Sequence, residues 1–203
     1  DFARQLKSRG YEVTIRCSRY VHLDDVFLES SEEVDNGIKY IYIDCPSYSG
    51  NGMSRMLNML IFTRNLIKKG KTLECPDVIL SSSPHLFTTF GGTKLSKYFK
   101  VRNLIEIRDL WPETFIQYGV FKRNSFRANI FSLVEKYIYK NADAIITTAP
   151  GMKKYIQRYK RIKAPIVTIG NGVDVDSYEK NLSLYSIEDK LHLECKNFNI
   201  VCA

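Results

Sequence analysis

The sequence predicts an α/β domain built on a mostly parallel sheet with helices on both faces. Three observations point there. Short apolar runs of strand length alternate with longer amphipathic runs along the whole chain. Glycine, serine and proline punctuate the changes from one to the other. The apolar runs read as strands buried on both faces, as in sheets built from βα units.

Taken in order, FARQLKSRG reads as the end of a helix, with Gly10 where a left-handed cap is wanted. Residues 11–17 (YEVTIRC) and 38–43 (IKYIYI) have strand character. Met53, Met56, Leu57, Leu60, Ile61 and Ile67 recur at three-and-four spacing, so a helix is expected over about 53–68. A strand follows at 77–81 (DVILS). Ser83 and Pro84 then suit the cap and first position of a helix over about 84–98. The remainder reads as a strand at 103–107, a helix near 125–140, a strand at 144–148, a helix near 151–160 and a strand at 165–169. Residues 177–194 read as a connector and 198–203 (FNIVCA) as the opening of another strand. The domain is expected over 1–178, truncated at its start, with 179–203 leading into a further domain.

Composition narrows the classes. Hydrophobic residues make up 44% and charged residues 26% of 203, which is ordinary globular material. No apolar run approaches the roughly 18 to 20 residues of a membrane span. The five cysteines are widely spaced and form no C-x-x-C pair, which argues against a disulfide framework or a zinc site and for a reducing, cytoplasmic compartment. The net charge of +8 favours an anionic partner. A lysine-rich proteome would give the same charge. No metal-ligand constellation is visible.

In sheets of this kind ligands bind at the carboxyl ends of strands. The segments to watch are therefore 82–85, 108–113, 148–152 and 170–174. Three of the motifs there form a set: IRDLWPE at 107–113, NADAIITTAPGMKKY at 141–155 and IGNGVDVDSY at 169–178. In this order and spacing the chain resembles the retaining glycosyltransferases of family four, most closely the bacterial enzymes that build O-antigen, capsule and colanic acid. The resemblance covers nearly the whole chain. It implies the Rossmann-like N-terminal, acceptor-side half of a GT-B fold. It further implies a sugar carried by a nucleotide donor and a lipid-linked glycan acceptor. No cofactor or metal is expected. The donor-binding half, with its E-x7-E motif, has no counterpart here, so these 203 residues are not expected to catalyse alone. The rival readings are a non-hydrolysing UDP-sugar epimerase of the same fold and a basic nucleic-acid-binding domain. The aromatics fit core periods rather than a nucleic-acid motif, so no nucleic acid is expected.

Given that resemblance, Arg108 is placed to pair with donor phosphate and Asp109 to orient an acceptor hydroxyl or take its proton. Family members often carry His where this chain has Asp109. The structural alternative is that Asp109 caps a short helix near Pro112 while Trp111 fills the core. Trp111 and Glu113 join the list as substrate contacts. Ser83 and His85 lie at a helix N-terminus suited to phosphate or a sugar hydroxyl, although Ser83 also reads as a plain cap. Asn171 and Gly172 follow the last strand. They are either ligand contacts or a turn in which Gly172 permits a positive φ. Residues 153–163 (KKYIQRYKRIK) carry six bases in eleven, so an anionic membrane surface is an expected partner through a basic amphipathic helix. The alternative there is a solvated helix with Tyr and Ile packed inward. The loop 114–127, with aromatics among bases, is a second candidate for lipid or acceptor contact.

Overall fold

The computed structural model describes residues 2–50, 52–159 and 162–172, together with Val175 and Glu179. Their order is α1 (Phe2–Ser8), β1 (Thr14–Ser18), β2 (Tyr20–Val21), β3 (Val26–Phe27), β4 (Glu32–Asp35), β5 (Ile38–Ile43), α2 (Met53–Gly70), β6 (Val78–Ser83), α3 (Leu86–Phe99), β7 (Arg102–Ile107), α4 (Glu113–Gln117), α5 (Phe126–Lys140), β8 (Ala144–Thr147), α6 (Pro150–Ile156) and β9 (Ile166–Thr168). The fold is α/β, as expected, and its main sheet is a parallel run of four strands, β6-β7-β8-β9. A second sheet, β1-β5-β4, pairs β1 with β5 in parallel. The chain separates into two compact units, Asp1–Ile169 and Gly170–Ala203. The expected connector at 177–194 and strand at 198–203 lie outside the described residues.

Local chemistry explains the boundaries. Gly10 is left-handed, and the N–H groups of Gly10 and Tyr11 donate to the carbonyls of Lys7 and Leu6, which closes α1 as the sequence suggested. Ser125 caps α5, its Oγ accepting from the Ala128 N–H at 3.3 Å. Lys100 takes the left-handed position that ends α3. The antiparallel strand β4 was not foreseen. It pairs with β5 through a tight turn in which Asn36 and Gly37 both have positive φ, the geometry that an Asn-Gly hairpin favours. Its residues are all exposed and three of the four are acidic, which suits an edge that must not recruit another strand.

The helix after β6 begins at Leu86, not at Pro84. Ser83 belongs to β6 and is buried, so it is not a cap. The N-cap position is His85, whose side chain makes no capping bond. Strand pairing outcompetes the cap because Ser83 continues the β6–β7 ladder opposite Ile107.

The core lies where α3 and α5 cross the four-stranded sheet. Ile105 and Ile107 of β7 and Ile145 of β8 pack with Phe131 and Ile138 of α5. Alternation along the strands is clean: Ser81 and Ser83 are buried, while Val78 and Leu80 are exposed. Close approach of α3 to β6 depends on Gly92, where an added Cβ would meet Ser81 Cβ and Oγ at 2.7 Å. At the amino end of the sheet, Asn103 is buried. Its side-chain amide donates to Thr93 Oγ1 (3.1 Å) and to the Asn141 carbonyl (2.9 Å), tying α3 and the end of α5 to β7.

Gly92→Ala is therefore expected to cost about 1–3 kcal/mol in urea unfolding, as overpacking does. Adding Ser81→Gly should recover part of that loss, because it removes the atoms in collision. An unchanged midpoint for Gly92→Ala would show that α3 is free to lift away from the strand.

Candidate functional site at the carboxyl edge of the parallel sheet

Strand register sets the site. Ser83, Ile107, Thr147 and Thr168 align as one row, so β6 to β9 finish level. The chain leaves that row at Pro84-His85, at Arg108-Asp109 and at Thr148-Ala149. Two of the expected residues stand free there. Arg108 and Asp109 are exposed, and neither side chain has a hydrogen bond or ion pair among the described residues. The Arg108 N–H donates to Ser83 Oγ at 3.3 Å, so the buried Ser83 pins the backbone that carries Arg108 outward. Asp109 is not a cap: α4 starts at Glu113 with Pro112 before it, and no side chain caps that end. The Trp111–Pro112 peptide is cis.

Trp111 and Glu113 turn the other way. Trp111 is buried, with its ring edge-on to Phe115 and Phe131 at centroid distances of 4.4 and 5.7 Å. Burying so large a ring stabilises the α4–α5 contact, so its visible role is packing. Glu113 is buried too, and Arg123 grips it with two bonds of 2.8 and 3.0 Å. Those bonds hold its carboxyl below the usual range, outweighing the burial that pushes it up. The loop between α4 and α5 is thus fastened by an ion pair.

His85 is half-buried at the same edge. Burial pulls its pKa down to about 4, helped by the positive charge of Arg55, so the ring is neutral at physiological pH. Thr88 Oγ1 lies 3.2 Å from one ring nitrogen. The sequence reading did not single out Arg55. It sits in the first turn of α2 with its guanidinium over the Tyr48 ring, and only the fold brings it within electrostatic reach of His85.

Asn171 and Gly172 belong to the second unit and are exposed. Gly172 has no left-handed φ and open space where a Cβ would stand, so this turn does not require glycine. The neighbouring Asp174 is outside the described residues.

Over its described part the segment 153–163 follows the inward-packing alternative; Lys160 and Arg161 lie outside the described residues. Helix α6 stops at Ile156, which is fully buried, and Tyr155 and Tyr159 point inward. Its apolar face is part of the core, and Arg158 lies over the Tyr155 ring at 5.9 Å. The inward tyrosines meet a group that the sequence reading missed. Glu135 of α5 is fully buried and accepts hydrogen bonds from Tyr139 (2.8 Å), Tyr155 (3.3 Å) and Tyr159. Burial pushes its pKa to about 7, although the three phenols favour the charged form. The same carboxylate and their own burial push Tyr155 up to about 12 and Tyr159 higher still. A cavity of about 270 Å³ adjoins the cluster, with Glu113, Arg123, Tyr155 and Arg158 on its wall. The available signal was a lone acid on the apolar face of α5, one turn after Phe131.

With this geometry in hand, the comparison with known proteins is decisive. Residues 1–177 match the profile of Glycosyltransferase Family 4. The chain belongs to that family. A sucrose-phosphate synthase chain from Thermosynechococcus elongatus superposes with a TM-score of 0.59 at 16% identity, covering 90% of this chain and 88% of that one. A longer sucrose-phosphate synthase chain from the same organism gives 0.63 at 18% identity, with 89% of this chain and 45% of that chain covered. The family 4 chain thus spans under half of the longer synthase. No curated protein sequence matches it. Membership supports the glycosyltransferase reading over the epimerase one, and the fold agrees with the GT-B half expected.

Glu135 gives a test of this cluster. Its folded pKa, about 7, lies above the ordinary 4.5. Below about pH 4.5 both folded and unfolded chains hold the proton and nothing is lost. As pH rises through 7 the unfolded chain releases it more readily, and stability falls by something on the order of 3 kcal/mol. His85, with its lowered pKa, gives both proteins an opposing rise over pH 4.5 to 8, so the decline is read as the difference between the urea-unfolding profiles of wild type and Glu135→Gln. Parallel profiles for the two proteins would mean that Glu135 does not titrate in this window.

Proposed function

We propose that this family 4 chain is the acceptor-side half of a retaining glycosyltransferase of bacterial surface-polysaccharide synthesis. The enzyme moves a hexose or N-acetyl-hexosamine from a nucleotide-sugar donor to a lipid-linked glycan acceptor. One observation carries the reading within the family: Arg108 and Asp109 project from the carboxyl edge of an interior strand with no side-chain partner among the described residues, while their neighbours Trp111 and Glu113 are buried.

The chemistry breaks the bond between the sugar's anomeric carbon and the diphosphate oxygen and forms one to an acceptor hydroxyl. The hydroxyl proton must go to a base, and the diphosphate must leave with its negative charge stabilised. Asp109 is an exposed carboxylate free to orient the hydroxyl or accept its proton. Arg108 offers a forked donor to phosphate oxygens. The uncapped first turn of α3 beside His85 adds partial positive charge at the same edge. Neutral His85 is suited to a sugar hydroxyl rather than to phosphate. Asn171 and Gly172 are kept as donor-side contacts on the strength of the family resemblance. Positive side chains and helix ends supply the stabilisation in this reading, so the reaction is expected to proceed in the presence of EDTA. A lipid-linked acceptor would place the enzyme at the cytoplasmic face of the plasma membrane.

In the intact enzyme, Asp109→Asn should lower kcat by roughly 100-fold or more, as loss of a general base does, with melting unchanged because the side chain caps nothing. A normal kcat would remove Asp109 from the reaction. Arg108→Lys keeps the charge and loses the fork, so the donor KM should rise while folding is preserved. An unaltered KM would leave Arg108 without a role in donor binding.

A further inference from the structure

Helices α2, α3 and α5 lie side by side, with α3 in the middle. Each buries one stripe against the sheets. On the two outer helices the opposite stripe is apolar as well. On α2, Met53, Leu57 and Leu60 are exposed, at 76%, 53% and 46% of their surface. On α5, Phe126, Ile130 and Leu133 are exposed, at 80%, 41% and 67%. Both sets follow i, i+4, i+7 spacing, so each forms one outward ridge. Three ridge residues on each of two helices are more than scattered surface leucines.

Charge on this layer has one sign. The three helices together hold no aspartate and one glutamate, Glu135, which is fully buried. Exposed bases stand among the ridges: Arg64 and Lys68 on α2, Lys94 and Lys97 on α3, Lys136 and Lys140 on α5. The ammonium groups of the exposed Lys94 and Lys97 lie over the Tyr137 ring at 5.0 and 4.9 Å, so an aromatic face holds both charges at this surface.

We propose that the outer surface of α2, α3 and α5 docks on an anionic lipid bilayer, with the two ridges in the acyl boundary and the lysines among phosphate headgroups. Charge complementarity selects this occupant. A second copy of the same face would set cations against cations. A nucleic acid would use the bases but leave six apolar side chains without a partner. The bilayer uses both. Beside the described bases of 153–163, Tyr155, Ile156 and Tyr159 are turned into the core instead.

The test needs neither donor nor acceptor, so it stands or fails apart from the transferase reading. The 203-residue chain is floated with phosphatidylcholine vesicles, with and without phosphatidylglycerol. It should bind only the anionic vesicles, and less as salt is raised. Phe126→Ser with Leu133→Ser should weaken binding by roughly tenfold or more, the factor expected when such side chains lose an apolar phase. Leu57→Ser with Leu60→Ser should do the same. Circular dichroism should be unchanged, because all four side chains already face solvent. Lys153→Ala with Lys154→Ala should keep most of the binding. Failure to bind anionic vesicles would overturn the proposal. So would ridge variants that bind normally, a dimer that the ridge variants dissolve, or tighter binding to single-stranded DNA that the ridge variants leave intact.

Discussion

Everything at the candidate site depends on the hydrogen-bonded register of four parallel strands. A parallel sheet has no tolerance for an unpaired interior strand, since its amide groups are sealed from water by the helices above. Pairing therefore decides where each strand stops. Because Ser83, Ile107, Thr147 and Thr168 share one row, the chain leaves the sheet at a common level. The exits after β6 and β7 then present His85, Arg108 and Asp109 along one edge. The Ser83 hydroxyl accepts from the Arg108 N–H, so the ladder is continued by one side-chain bond where the backbone departs. Small residues make this possible. Without Gly92 against Ser81, α3 would stand off from β6 and its first turn would not reach the edge.

The ionisable groups beside this edge divide according to which physical effect wins. At Glu113, two hydrogen bonds from Arg123 outweigh burial and the carboxylate stays charged. At Glu135, burial outweighs three phenolic hydrogen bonds and the proton is held to about pH 7. The difference is a full opposite charge: a guanidinium compensates a buried carboxylate, whereas neutral hydroxyls do so only in part. The two acids fix neighbouring elements in different ways. Glu113 fastens the loop after α4, and Glu135 fastens α6 to α5.

Much of this was legible in the sequence. Period and punctuation located α2, α5 and the strands from β5 onward, because long amphipathic helices and buried β-branched runs state their own geometry. The short strands were not legible: β2 and β3 are too brief to carry a period, whereas the short helix read near Pro112 is α4. β4 is acidic at three of its four positions, and its only sign was the Asn36-Gly37 turn. Local propensity misled at Ser83, where Ser-Pro reads as a helix start but tertiary pairing extends the strand. The exposed pair Arg108 and Asp109 follows from the strand-end rule. The alternative reading had Trp111 in the core, but the inward turn of Glu113 was not legible, since it depends on Arg123, which comes later in sequence. The tyrosines of 155–159 had a correct inward reading available, but nothing in their spacing pointed to Glu135 twenty residues earlier.

Net charge alone decided little, and its distribution decides more. Six exposed acids, Asp24, Asp25, Glu29, Glu32, Glu33 and Asp35, cluster around β3 and β4, and others are spread over the loops. The helical layer has none at its surface. A basic, apolar flank without surface acids is drawn to a negatively charged surface. An excess of +8 spread evenly would attract anions from every side and orient nothing. Here the helical layer presents bases with no surface acid among them, whereas other exposed parts of the first unit carry both signs. The strand edge that carries Arg108 and Asp109 lies at the ends of these helices rather than on their outer faces. A contact made by the helical layer therefore leaves that edge open.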